Sequence, residues 1–203
     1  MKKIFLTMMA AALLVIGLTA CGGKHEPYPF KELADFTEEF VEYAKTHQEN
    51  ERIDDDVFDK YVNKRKSWCE KIKGKTMTAE VDPGLGFELV SPYGTFKETE
   101  ISDFNHKVIV WLTFELRITD VDVASANSMM AVVEDENGLV APTDRIDWIV
   151  NGKEEWKCPK EVKNGDIIEG KARFYIKPLR AIKLKDVSKV VIKKNDDAIR
   201  MHY

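Results

Sequence analysis

Between Val108 and Ile118 apolar side chains fall on every second residue, Val108, Val110, Leu112, Phe114, Leu116 and Ile118, while Thr113, Glu115, Arg117 and Thr119 take alternate places. A period of two over that length means a strand with one buried face. Such a face cannot cover itself, so the rest of the chain has to supply an opposing layer. Small residues from Ala124 to Ser128 come next, then Met129 to Val133, a turn at Asp135-Glu136-Asn137-Gly138, and a return through Leu139 and Val140. Gly138 stands where the turn needs positive φ, and the stretch from Lys107 to Pro142 is the unit the other segments complete.

The same alternation recurs on both sides. Met77, Ala79 and Val81 run up to a turn at Asp82-Pro83-Gly84, and Leu85, Phe87 and Leu89 run back. Gly84-Leu85-Gly86 lacks the third glycine and the helix of a dinucleotide fingerprint, so it is read as turn chemistry. Ser91-Pro92-Tyr93-Gly94 predicts another turn, and Thr95 to Ile101, carrying Lys97, Glu98 and Glu100, a short edge strand. Further on, Ile146, Trp148 and Val150 lead into Asn151-Gly152, the strongest hairpin signal in the chain. A two-residue turn there sets Val150 against Lys153, Trp148 against Glu155 and Asp147 against Trp156. Asn164-Gly165 opens a strand through Ile168, Gly170, Ala172, Phe174 and Ile176 that Pro178 closes, and Val190 with Ile192 forms the last one.

Ahead of the strands the period is helical. Leu33, Phe36, Phe40, Val41, Tyr43 and Ala44 make one stripe, and Val57, Tyr61, Arg65, Trp68 and Ile72 make a second that stops at Gly74. Asp54-Asp55-Asp56 suits a helix N-terminus. Val57, Phe58 and Asp59 do not supply the ligands, glycine and glutamate of a calcium-binding loop, so capping is the reading. These patterns predict a mainly β protein, an antiparallel sandwich preceded by two amphipathic α-helices that pack on each other and on the sheet, with a five-stranded OB-like barrel as the alternative.

The first twenty residues stand apart. Lys2 and Lys3 precede an apolar run from Ile4 to Gly17, and Leu18-Thr19-Ala20-Cys21 come after it. This resembles a bacterial lipoprotein signal, with Leu18, Thr19 and Ala20 as the lipobox and Cys21 as the thiol that is acylated, with chains such as palmitate, and becomes the new N-terminus. The resemblance implies a signal peptide at 1–20 followed by a tether at 21–29, and the periodicities above divide the rest into a helical preface at 30–73 and a β domain at 74–203. It also implies a cell-envelope protein held to a membrane by its acyl anchor. Gly22, where Asp would favour inner-membrane retention in a Gram-negative cell, implies the outer membrane. More than one acyl chain is required for stable attachment, at ~0.8 kcal/mol per buried CH₂.

A second resemblance rests on the segment from Lys107 to Lys194. Its long strand, the Val132-Val133-Glu134-Asp135 hairpin closing at Asn137-Gly138, the Asn164-Gly165-Asp166-Ile167 entry and the Gly170-Lys171-Ala172-Arg173-Phe174 strand are similar to Ig-like extracellular domains of small secreted bacterial lipoproteins. That resemblance implies an Ig-like fold and no particular chemistry. The chain departs from it in the Trp148 to Trp156 hairpin and the helical preface.

Candidate chemistry is sparse. The formal charge of −4, with both signs interspersed, gives no basic footprint for nucleic acid. His25, His47, His106 and His202 share no ligand spacing, no Gly-x-Ser-x-Gly elbow is present, and no metal or cofactor is implied. Cys69 and Cys158 form either one disulfide or two buried thiols, which geometry decides. Glu115 and Asp147 are the carboxylates nearest apolar sequence, and solvated strand faces account for both. Tyr93, Trp148 and Trp156 form a binding platform for protein or glycan if exposed together; Trp148 shares a face with Ile146 and Val150, which favours the core. The resulting expectation is a non-enzymatic, lipid-anchored binding module, with an envelope-polymer hydrolase using a carboxylate pair as the alternative.

Overall fold

The computed structural model describes residues 28–47, 53–102, 107–138, 140–142, 146–150, 152–155, 158 and 161–195. Leu18 to Cys21, Trp156, His25, His106 and His202 lie outside the described residues. Two helices come first, α1 (Lys31–His47) and α2 (Asp55–Ile72). The Asp54 side chain accepts from the Asp56 backbone N–H, the capping role its sequence position implies.

The strands are β1 (Thr76–Val81), β2 (Phe87–Leu89), β3 (Tyr93–Ser102), β4 (Lys107–Ile118), β5 (Met129–Glu134), β6 (Val140–Pro142), β7 (Ile146–Val150), β8 (Lys153–Glu155), β9 (Ile167–Ile176) and β10 (Lys189–Lys194). Two short helices interrupt them, α3 (Val121–Ala126) and α4 (Pro178–Lys183). The ten strands form one sheet in the order β6-β5-β10-β1-β3-β4-β9-β7-β8, with β2 beside β4.

The sheet is mixed, which corrects the wholly antiparallel expectation. β10 inserts between β5 and β1 and runs parallel to β1, aligning Ala79 with Val190 and Val81 with Ile192. β3 is corrected too. It is interior, lying between β1 and β4, and its charged residues mark a solvated face rather than an edge. A bulge between Phe96 and Glu98 keeps Phe96 inward and turns Glu98 outward. The first part of the small-residue stretch, Ala124 to Ala126, closes α3, which Asp120 caps, and Asn127 and Ser128 lead on into β5.

Cross-strand register carries the alternation of β4 into every neighbour. Leu112 is flanked by Phe96 and Ala172, Val110 by Thr99 and Phe174, and Leu116 by Leu89 and Ile168. Met77, Ala79, Val190, Ile192, Ala131, Val133, Ile146 and Trp148 continue the same face, and all are buried in a single cluster. β5 and β7, far apart along the sheet path, approach each other over that cluster.

The hairpin at Asn151-Gly152 has the register its sequence predicts, with Val150 opposite Lys153 and Trp148 opposite Glu155. Gly170 makes room for Leu116 and Ile146: a Cβ there would come within 3.1 and 3.3 Å of their side chains, and within ordinary contact of Trp148 at 3.5 Å. Helices cover the rest of the core. Phe30 lies edge-on to Phe96 at 5.7 Å and tilted against Trp68 at 6.0 Å, so one ring joins helix and sheet.

Gly86 has φ +79°, and a Cβ there would come within 2.5 Å of the Asp120 carbonyl oxygen and 2.7 Å of the Ala124 backbone nitrogen. Gly86→Ala is therefore expected to destabilise the fold by on the order of 3 kcal/mol, read by denaturant unfolding, and a loss below about 1 kcal/mol contradicts the packing described. Trp148→Ala is expected to cost about 3–5 kcal/mol by the same measurement.

Candidate functional site

The expected aromatic platform does not assemble. Trp148 is 1 % exposed and stacks on Phe87 at 4.8 Å, whereas Tyr93 is half-buried on the opposite face of the sheet, in register with Thr78. Tyr93 and Trp148 therefore cannot share a ligand, because inward and outward positions alternate along each strand.

Cys69 and Cys158 are both buried, with no disulfide between them. Cys69 lies on α2, and its backbone carbonyl accepts from the Thr99 hydroxyl at 3.2 Å. Cys158 lies beyond the end of β8 rather than in a strand. Burial pushes both thiols up, that of Cys158 to about 11. Neither has the lowered pKa that nucleophilic chemistry needs.

An open groove of about 600 Å³ lies between α1 and α2, with Trp68 and Phe36 in its lining. Its charges are spent on each other. Lys71 pairs with Glu32 at 2.6 Å, Lys64 with Glu39 at 2.9 Å, and Lys31 with Asp35, so the groove is a zipped helix seam. No group of three or more His, Cys, Asp or Glu side chains converges among the described residues. No helix among them is long and apolar enough to cross a membrane.

What remains is the outer face of β3, β4 and β9. Register sets Thr76, Thr95, Thr113, Lys171 and Asp147 in one row across five strands. The next rows hold Glu98, Trp111 and Arg173, then Glu100, Ile109 and Tyr175, with Lys107 beyond. Trp111, Tyr175 and Tyr93 are each half-buried, leaving ring surface open to solvent among charged groups.

Lys171 organises the middle of this face. Its ammonium lies 2.9 Å from Glu154, 3.6 Å from Glu98 and 5.7 Å from the Trp111 ring centroid. Burial by itself would depress Lys171, but the hydrogen bonds and charges of Glu154 and Glu98 outweigh it and hold the ammonium above its ordinary value.

Glu115 and Asp147 do not face each other. Asp147 is opposite Lys171, while Glu115 is opposite Glu169, a like-charged register pair beside a shallow depression of about 260 Å³ that Tyr93 and Thr113 also line. Sequence reasoning missed Trp111, Arg173, Tyr175 and Glu169, because each reads as one more solvated position until β4 and β9 are placed side by side. No protein family, curated protein or solved structure matches the chain.

Two buried thiols with raised pKa values make a linkage prediction. They favour the folded state while they remain protonated, so stability is expected to hold below about pH 8.5, the ordinary thiol value, and to fall as pH rises from there toward about 11. Cys158→Ala is expected to flatten that decline in pH-dependent urea unfolding. A decline of the same steepness in the variant would refute the assignment.

Proposed function

We propose that this protein is a lipid-anchored, non-enzymatic binding module of the cell envelope, tethered through Cys21 and presenting the outer face of β3, β4 and β9 to a protein or glycan partner. One observation carries this reading: Trp111 and Tyr175 offer half-open rings on a rigid sheet among fixed ion pairs, and enriched aromatic anchors are what binding faces share. The lipobox resemblance supports the anchor. The approach of β5 to β7 over a common core supports reading the curled sheet as two facing layers, the Ig-like sandwich the sequence implies.

A second reading, an envelope-polymer hydrolase, is favoured by the Glu115 and Glu169 pair. Glu115 is exposed and Glu169 half-exposed, however, and water disperses the field between two such carboxylates.

Three variants separate the readings. Cys21→Ser is expected to move the chain from the membrane to the soluble fraction. Trp111→Ala with Tyr175→Ala is expected to weaken capture of an envelope partner by about tenfold or more while leaving the thermal midpoint nearly unchanged. Glu115→Gln is expected to leave that capture intact. Membrane retention of the Cys21→Ser chain refutes the anchor, partner capture indifferent to the double variant refutes the face, and polymer cleavage that Glu115→Gln abolishes establishes the hydrolase instead.

A further inference from the structure

Most cations on the outer face of this sheet have a carboxylate. Lys189 reaches Glu80 at 2.9 Å, Lys193 reaches Glu134 at 2.7 Å, Arg117 reaches Glu88 at 2.8 Å, and Lys171 holds Glu154. Among the described residues Lys97 lacks such a partner, and so do Arg173 and Lys107, neither of which makes an ion pair or hydrogen bond through its side chain. Arg173 and Lys107 instead lie against one ring: the Arg173 guanidinium carbon is 4.9 Å and the Lys107 ammonium 5.9 Å from the Tyr175 centroid. The Tyr175 hydroxyl likewise has no hydrogen-bond partner among the described residues.

Among the described residues, the surrounding carboxylates do not relieve these charges. Glu98 is turned to Lys171, and Glu100 stands across Ile109 from Tyr175, beyond ion-pair reach of either cation. Arg173 is half-buried and its Nε is buried without an acceptor, which costs stability and calls for a compensating role. Stacking on Tyr175 also restricts the guanidinium, lowering the entropy lost when it grips a ligand.

From these donors gathered round one ring we propose that Arg173, Lys107 and the Tyr175 hydroxyl form a binding site for a phosphate group. Phosphate fits better than carboxylate because a guanidinium fork and an ammonium together supply two positive charges, matching a phosphate monoester near its dianionic form. The site deepens the reading of this face as a binding surface and rests on it. Two envelope sources carry the chemistry, a phosphorylated glycan and a phospholipid headgroup.

The test uses the full-length chain in a neutral detergent, titrated calorimetrically with inorganic phosphate, glucose 1-phosphate, glucose, and mixed micelles containing phosphatidic acid, whose headgroup is a phosphate monoester. Saturable binding of a phosphate-bearing probe, with none of glucose, is expected. Arg173→Gln and Lys107→Gln are each expected to weaken it about tenfold, and Arg117→Gln, on the same sheet with its own Glu88 partner, to leave it unchanged. Glucose 1-phosphate outdoing the micelles assigns the glycan source, and the reverse assigns the headgroup.

The inference is overturned if no phosphate-bearing probe saturates, or if Arg117→Gln costs as much as the other two. Lys107→Gln, a change at a strand end, keeps the test decisive should Arg173→Gln unfold. Partner capture that survives Arg173→Gln alongside absent phosphate binding removes this site alone, whereas phosphate binding without any captured partner removes the broader reading alone.

Discussion

The structure depends on β4 hiding one face along its whole length. Val108, Val110, Leu112, Phe114, Leu116 and Ile118 are all buried, and β3, β9 and β2 hydrogen-bond alongside that strand. Because side chains alternate strictly, fixing the inward set of β4 fixes the inward set of each partner through register, and a slip by one residue would turn a complete apolar row into water. The close fits arise from this constraint. Gly94 is glycine because a Cβ would come within 2.5 Å of the Phe114 ring, and a Cβ at Gly170 would crowd Leu116 and Ile146. Phe30 then fastens the helices to the same core.

Burying one face decides what the other is free to do. The outer face of β3, β4 and β9 contributes little to the core, so its composition is constrained mainly by charge balance and solubility. Exposed ion pairs of this kind are individually weak, typically about 0–1 kcal/mol, and serve to hold side chains in place more than to hold the fold together. Against that neutralised background the two cations beside Tyr175 are distinctive: they form a local positive feature on a chain whose formal charge is −4.

Much of the fold was legible in the residues. The alternation located β4, β9 and β1, Asp54 marked the start of α2, and Asn151-Gly152 set the pairing of Trp148 with Glu155. What the sequence withheld was non-local. Nothing near Val190 says that it will pair with Ala79 and Val133, since parallel insertion depends on segments far apart in the chain. α4 is six residues long, too short to show a period. The phosphate-site residues were hidden for the same reason, since Lys107 and Tyr175 meet only because Val108 aligns with Ile176. Tyr93 and Trp148 were separable in principle by counting faces, but only after β3 and β9 had been placed on either side of β4.

The internal position of β10 has a consequence for how the protein is made. A sheet whose interior includes Lys189–Lys194 cannot be completed while that segment is still being synthesised, because β5 and β1 lack the strand that joins them. Pairing across so many intervening residues is intrinsically slow. Copies thus stay open until β10 has been made, with the facing edges of β1 and β5 unpaired up to that point.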